Sequence, residues 1–248
     1  MIATDFIFLS AIGLVFLAYF VKGFSGFGPA LILVPTLSLL YDPQTAISVA
    51  ALFDCIAGPL LLYSVRNKID WRYVIIVFAG LSVGAFAGVR LLTWLSTGGL
   101  KQLIGMAILL FVVLLFFQNS ESNKAPYTSR WITMAKYPLS VLAGLSGGLL
   151  GISGPPLVIF MKFTYDKEYF RNQLIAIFTL GAFWRFFLYR TYHIHTAIPL
   201  TELIFLILIL LAALWLGNYF QSRADEKKFN RTIALILLLP AFNLLLSN

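Results

Sequence analysis

Apolar stretches separated by short polar connections run along the whole chain. Several approach the roughly 20 residues of apolar helix that a hydrocarbon core about 30 Å thick requires. Because the backbone of such a stretch must form its hydrogen bonds within itself in lipid, we expect each stretch to be helical. The pattern predicts five segments in each half of the chain, at 6–22, 28–41, 45–63, 73–94 and 101–117, then at 138–150, 154–164, 171–189, 198–217 and 231–247.

The longest polar stretch lies near the middle of the chain and contains NSESNKAPYTSR. It separates two groups of membrane segments rather than two soluble domains. The predicted organisation is one transmembrane domain, with a first membrane repeat at 1–118, a cytoplasmic linker at 119–136 and a second membrane repeat at 137–248.

A Gly-x-Ser-Gly tetrad interrupts an apolar stretch in each half, at 23–26 and again at 151–154, and proline follows both tetrads. Glycine and proline weaken helices, and in lipid such a break survives only where protein or a watery cavity surrounds it. Paired breaks in two halves point to the binding site of a transporter. The flanking segments are short, about 11 to 17 residues, which favours broken or re-entrant helices at the tetrads; two tilted full crossings remain the alternative.

Composition agrees with a membrane protein, because 60% of the residues are hydrophobic, 11% are charged and the mean hydropathy is +0.90. The first segment begins with Asp5 and has no Lys or Arg before it, so we expect it to remain in the mature protein rather than to act as a cleaved signal peptide. The net charge of +8 is carried mainly by the loops, which gives no support to nucleic-acid binding.

Basic residues predict the topology, because cytoplasmic loops are rich in Lys and Arg. The basic loops carry Arg66, Lys68 and Arg72; Lys124, Arg130 and Lys136; Lys162, Lys167 and Arg171; and Arg223, Lys227, Lys228 and Arg231. With these loops inside, both termini are expected outside. Five crossings per half then make the second repeat enter the membrane from the opposite side, so we predict an all-α polytopic protein built from two inverted-topology repeats.

The segments GFSGFGPALILVP and GLSGGLLGISGPPLVIF, in a chain with two related halves, resemble the TauE/SafE sulfite and sulfonate exporter family. The resemblance covers nearly the whole chain. It implies a permease of the bacterial or archaeal cytoplasmic (inner) membrane for small anions, often sulfur-containing, without an ATPase of its own. The first motif reads GFGPA where the family tends to have more consecutive glycines, and this departure bears on the substrate more than on the family.

Residues in and beside the tetrads are the candidates for substrate binding, because helix starts offer amide donors and serine adds a hydroxyl. Close helix packing is the alternative for the glycines, a cytoplasmic lysine for Lys22, and the end of a loop for the pair at 171–172. The candidates are Lys22, Gly23, Ser25, Gly26, Gly28, Gly151, Ser153, Gly154, Pro155, Arg171 and Asn172.

Asp54 lies midway along an apolar segment, where a charge is costly and commonly functional. It could carry a coupled proton, or it could be the counter-ion of a basic residue such as Lys22, Arg90 or Arg185. A structural salt bridge or a helix break near Pro59 is the alternative. For Arg90 and Arg185 we favour long side chains that reach the membrane interface over a role as counter-ion.

Other motifs indicate packing or solvated loops. Gly80, Gly84 and Gly88 recur every four residues, as at a helix contact. His193 and His195 form an H-x-H pair without a third ligand nearby, so neither a metal nor a cofactor is expected.

The sequence therefore predicts a secondary transporter, in the exporting direction, of a small sulfur-containing anion such as sulfite or an organosulfonate. Coupling to protons is left open. The alternatives are an anion channel or a carboxylate permease of the same fold. An intramembrane enzyme is disfavoured because no nucleophile and base converge in the sequence. The partners expected are the anion and the lipid bilayer, and a homodimer is left open.

Overall fold

The protein is described by a computed structural model in which the regular structure is helical throughout, without strands in the residues described. The described residues are 2–25, 28–116, 130–154, 156–157, 160–161, 165, 167–220 and 240–246. The helices are α1 (Ile2–Ser25), α2 (Pro29–Leu40), α3 (Pro43–Val65), α4 (Trp71–Leu92), α5 (Thr97–Phe116), α6 (Arg130–Leu150), α7 (Lys167–Thr191) and α8 (Leu200–Phe220), with a 3₁₀ turn at Arg66–Lys68 and a helical stretch at 240–246.

Five of the described helices are long and apolar enough to cross a membrane. The apolar spans are Ile7–Phe24, Pro43–Lys68, Trp71–Leu92, Glu168–Thr191 and Leu200–Phe220. Two shorter apolar helices, Pro29–Leu40 and Thr97–Val113, lie between them in sequence. The predicted all-α, multi-pass architecture is thereby confirmed, whereas the inversion of the two repeats stays a prediction.

Aspartates define the starts of α3 and α4. The carboxylate of Asp42 accepts a hydrogen bond from the Thr45 amide at 2.9 Å, and that of Asp70 accepts one from the Tyr73 amide at 3.1 Å. Each bond satisfies one of the amides that a helix start leaves unpaired. Gln173 of α7 accepts a further bond from the Asp70 amide at 3.0 Å, so the α3–α4 connection is attached to the start of α7.

The expectation of short helices before the tetrads is wrong. α1 has 24 residues and α6 has 21, so both are long enough to span a bilayer. The hydropathy pattern counted apolar residues only, whereas the backbone hydrogen bonds of a helix continue through polar and small residues. α6 accordingly begins at Arg130, inside the predicted linker 119–136, while 117–129 lies outside the described residues.

Three helix pairs dominate the packing: α4 against α6, α1 against α8, and α3 against α7. In the contact of α4 with α6, a Cβ atom added to Gly84 would overlap the carbonyl oxygen of Val141. One added to Gly88 would overlap the carbonyl oxygen of Leu145. Gly80 meets the Ser140 side chain in the same way. The predicted packing role of these glycines is confirmed, because only the absence of a side chain allows the two helices to come this close.

Candidate functional site

A small cavity lies where α1, α2, α3, α7 and the end of α6 meet, and its free volume is about 30 Å³. That space suits on the order of two water molecules. The cavity is lined by Lys22, Gly28, Pro29, Ala30, Leu31, Asp54, Gly151, Ile152, Ser153, Gly154, Phe178 and Arg185. Segments from distant points of the chain therefore converge on one cavity.

Three charged side chains of the lining form one cluster, which we call the charged cluster: Lys22, Asp54 and Arg185. The ammonium of Lys22 lies 2.6 Å from Oδ1 of Asp54, and Nη2 of Arg185 lies 3.5 Å from Oδ2. The hydroxyl of Tyr19 also donates to Oδ1, at 3.2 Å. The three charged residues are only 5–6% exposed, so one buried carboxylate is shared by two buried cations.

Arg185 connects the charged cluster to the second tetrad. Its Nη1 donates a hydrogen bond of 2.7 Å to the carbonyl oxygen of Gly151, while its buried Nε has no hydrogen-bond partner in the part of the chain that is described. One turn further along α7, the hydroxyl of Tyr189 donates to the carbonyls of Gly147 and Gly148 at 3.0 Å each. These bonds fix the end of α6 against α7 and leave the Nε donor of Arg185 unused.

The charges of the lining add up to one positive charge among the described residues, because Lys22 and Arg185 contribute two and Asp54 removes one. Helix ends add partial charges. The start of α2 lines the cavity, and its N-cap residue, Gly28, has no side chain that could accept from the first amides of the helix. The end of α6 contributes the opposite sign, so these partial charges, about half an elementary charge each, largely cancel. The cavity is thus positive by about one unit.

Two glycines of the lining have left-handed backbone conformations, Gly28 with φ 91° and Gly151 with φ 74°. Other residues adopt this region at a cost, because their Cβ atom clashes with the backbone. Gly28 immediately precedes α2, and Gly151 immediately follows α6. Both glycines therefore allow the chain to turn beside the cavity.

The structure brings together seven of the residues predicted from the sequence: Lys22, Gly28, Asp54, Gly151, Ser153, Gly154 and Arg185. For Arg185, the interface-reaching side chain that we favoured is wrong, since the residue is 5% exposed and contacts Asp54. The alternative role of Arg185 as a counter-ion of Asp54 matches its position, because its side chain lies on the face of α7 that packs against α3. Pro59 does not break α3, which continues from Pro43 to Val65.

Other predicted residues lie elsewhere. A Cβ added to Gly23 would overlap the Leu214 carbonyl oxygen of α8, so its position favours close packing over cavity lining. Arg90 is exposed in the last turn of α4, away from the lining residues. Gly26 and Pro155 lie outside the described residues, as does the side chain of Ser25.

Arg171 and Asn172 lie near the start of α7, and Arg171 precedes Arg185 by 14 residues, which is about 21 Å along a helix. They are not among the lining residues. Asn172 is 3% exposed, and Nε and Nη2 of Arg171 are buried without a hydrogen-bond partner within the described part of the chain. The histidines His193 and His195 are exposed in the loop between α7 and α8.

Sequence reasoning missed several contacts of the site. Tyr19 lies one turn before Lys22 on α1, and Phe178 lies two turns before Arg185 on α7. Helical spacing from the two cations could have identified both, because residues three, four and seven apart share a face. Ile152 and the start of α2 gave no signal of their own beyond their proximity to the tetrads.

The helices and this site define a class: a polytopic α-helical membrane protein with a positively charged cavity whose charged side chains are buried. The chain belongs to the family described as Sulfite exporter TauE/SafE, whose sequence model matches residues 11–244. The family resemblance seen in the tetrads is confirmed.

Among curated proteins, the chain is similar to the "Probable sulfite/organosulfonate exporter TauE" of Cupriavidus necator, with 29% identity over 160 residues. The alignment covers 63% of this chain and 61% of that relative, which is less than two thirds of its length. No solved structure was found to match.

Proposed function

We propose that this chain is a secondary transporter that exports a small sulfur-containing anion such as sulfite or an organosulfonate. Membership of the family and the name of the relative from Cupriavidus necator support the class of substrate. The observation that carries the proposal is the excess positive charge of the buried cavity, held by the charged cluster.

An unbalanced buried charge is unfavourable, because the interior of a membrane protein replaces little of the hydration that the ion loses. Asp54 balances only one of the two cations that contact it. An anion in the cavity would supply the missing negative charge. The unused Nε of Arg185 would gain an acceptor in the same step.

The rest of the lining suits a small oxyanion with an apolar substituent. Ser153 contributes a hydroxyl, and the start of α2 contributes amides at the positive end of a helix. Ile152 and Phe178 provide apolar surface. A volume of about 30 Å³ leaves little room for a large ligand, so we expect the lining to move apart when a bulkier sulfonate enters.

The helix contacts support the two repeats, which we propose to be inverted, with helices broken at the tetrads. In order along the two repeats, α1 corresponds to α6 and α4 corresponds to α8. Exchange of the two repeats therefore replaces the contact of α1 with α8 by the contact of α6 with α4. Both are among the three dominant pairs, and α3–α7 becomes its own counterpart. We propose that the charged cluster lies at this pseudo-two-fold axis. We also propose that the protein lies in a bacterial or archaeal inner membrane, with both termini outside.

A proton-coupled mechanism would use Asp54, since it is the carboxylate among the described lining residues. An anion channel or a carboxylate permease of the same fold would use the same positive charge. Saturable flux that a proton gradient accelerates favours the coupled carrier, whereas conductance without saturation favours a channel.

Purified protein in liposomes tests the proposal with sulfite, thiosulfate, sulfonates and carboxylates, each with and without a proton gradient. We expect saturable flux of sulfite or of a sulfonate. Arg185→Gln should lower that flux by about tenfold or more, the loss expected for one charged contact. Arg90→Gln is the matched control, because it removes an exposed guanidinium and should keep normal flux. Absence of flux for every anion would refute the proposal.

A further inference from the structure

The charge of the cavity indicates the valence of the anion that it accepts. Among the described lining residues, Lys22 and Arg185 are positive and Asp54 is negative, so the side chains carry one net positive charge. The partial charges of the two helix ends are of opposite sign and largely cancel. One monovalent anion therefore neutralises the cavity, whereas a divalent anion would leave it negative by one unit.

We propose that Asp54 is a specificity-determining residue, which restricts the site to monovalent anions, such as organosulfonates and hydrogen sulfite, and excludes divalent ones such as sulfate. This inference rests on the proposed function, because it concerns the same cavity.

The position of Asp54 gives this role a geometric basis. Its two oxygens contact different cations, Oδ1 that of Lys22 at 2.6 Å and Oδ2 that of Arg185 at 3.5 Å. The carboxylate thus occupies the position between the cations that a second negative charge of a ligand would need. Tyr19 donates to Oδ1 as well, at 3.2 Å, and keeps the carboxylate in this place.

Low exposure makes the charge count decisive. The three side chains are 6–8% exposed, so water screens their charges poorly. In such surroundings the interaction with a ligand scales with the ligand's own charge. An exposed cluster of the same composition would discriminate far less between a monovalent and a divalent anion.

Methanesulfonate and sulfate are a suitable pair of probes, because both are tetrahedral and differ chiefly in one methyl group and one charge. Binding of each to the purified full-length protein would be measured by calorimetry in detergent at constant ionic strength. The wild-type protein should bind methanesulfonate more tightly than sulfate.

Asp54→Asn keeps the size of the side chain and raises the charge of the cavity from one to two. If the added charge improves methanesulfonate binding about tenfold, sulfate, with twice the charge, should gain about a hundredfold, so that the preference shifts toward sulfate. Glu168→Gln is the matched control, since it removes an exposed carboxylate, with 67% of its side chain accessible, and should leave the preference unchanged.

The outcomes separate the two proposals. Tighter binding of sulfate than of methanesulfonate by the wild-type protein, or an unchanged preference in Asp54→Asn, overturns the valence rule and leaves the anion site standing. Binding of neither anion overturns both. If Asp54→Asn does not fold, the comparison of the two anions on the wild-type protein decides the matter alone.

Discussion

At the scale of single residues, one carboxylate holds the site together. Asp54 receives an ion pair from α1, a second from α7 and a hydrogen bond from Tyr19. Removing one partner of a buried charged group is far more harmful than removing an exposed one, because the charges left behind stay unsolvated. A substitution that leaves more uncompensated buried charge should therefore destabilise the protein more.

Asp54→Ala should lower the free energy of unfolding by about 3–5 kcal/mol, because two buried cations lose their counter-ion. Lys22→Met should cost less than half as much, since Asp54 and Arg185 remain as a neutral pair. Denaturation of the detergent-solubilised protein would measure both. The exposed pair of Lys68 and Glu168 supplies the control, where Glu168→Gln should cost at most about 1 kcal/mol. Equal losses for Asp54→Ala and Glu168→Gln would contradict this order.

Residue types and spacing predicted much of the candidate site. Asp54 stood out because a charge in an apolar segment requires a partner, and glycine and proline indicated helix breaks at the tetrads 23–26 and 151–154. The direction in which a helix face points was not predictable in the same way. Hydropathy does not distinguish an arginine that faces the protein interior from one that reaches the interface, so Arg185 was assigned to the wrong surroundings while Arg90 is exposed.

At the scale of helices, glycines determine how closely neighbours approach. Gly84 and Gly88 of α4 face α6, and Gly144 and Gly148 of α6 face the backbone of α4 in return. The contact of α1 with α8 has the same character, since Gly23 and Gly217 each lie against the backbone of the other helix. Both contacts lack room for even one methyl group.

Gly84→Ala should therefore force α4 and α6 apart and destabilise the protein by about 1–3 kcal/mol, the usual cost of overpacking. Gly13→Ala is the control, because nothing lies within 4 Å of a Cβ atom at that position of α1. It should be neutral, or stabilising by about 0.5–1 kcal/mol, since alanine is the better helix former. Thermal unfolding of both variants would measure the difference, and a stable Gly84→Ala protein would show that the contact is looser than described.

Helix bounds were predictable where polar residues flank an apolar run. The segments predicted at 45–63 and 73–94 appear as Pro43–Val65 and Trp71–Leu92, each beginning beside an aspartate and ending near basic or polar residues. The bounds of α1 and α6 were less predictable. Their helical hydrogen bonds continue through residues that the predicted apolar segments left out, namely 2–5, 23–25 and 130–137.

At the scale of the whole molecule, the proposed inversion makes a prediction about sidedness. The α3–α4 connection at Arg66–Lys68 should face the cytoplasm, and the loop between α7 and α8 should face outward. The chain has one cysteine, Cys55, so a single Cys55→Ser substitution provides a background free of thiols.

In that background, His195→Cys should react with a membrane-impermeant thiol reagent in intact cells, because His195 is exposed in the outward loop. Asn67→Cys, equally exposed at the opposite loop, should react only in inverted membrane vesicles. Reaction of both positions from the same side would rule out the proposed topology, and the Cys55→Ser background alone is the control for nonspecific labelling.

The shared carboxylate has a consequence for leakage across the membrane. Lys22, Asp54 and Arg185 stand on three different helices, α1, α3 and α7, so any rearrangement that opened the cavity without cargo would separate opposite charges in surroundings that solvate them poorly. Such a separation costs several kcal/mol. We expect the empty protein to stay shut and its helices to part chiefly when an anion compensates the cations, which hydrogen exchange of α1 with and without methanesulfonate would reveal. Ions would then cross as cargo, and the resting protein would preserve the membrane potential.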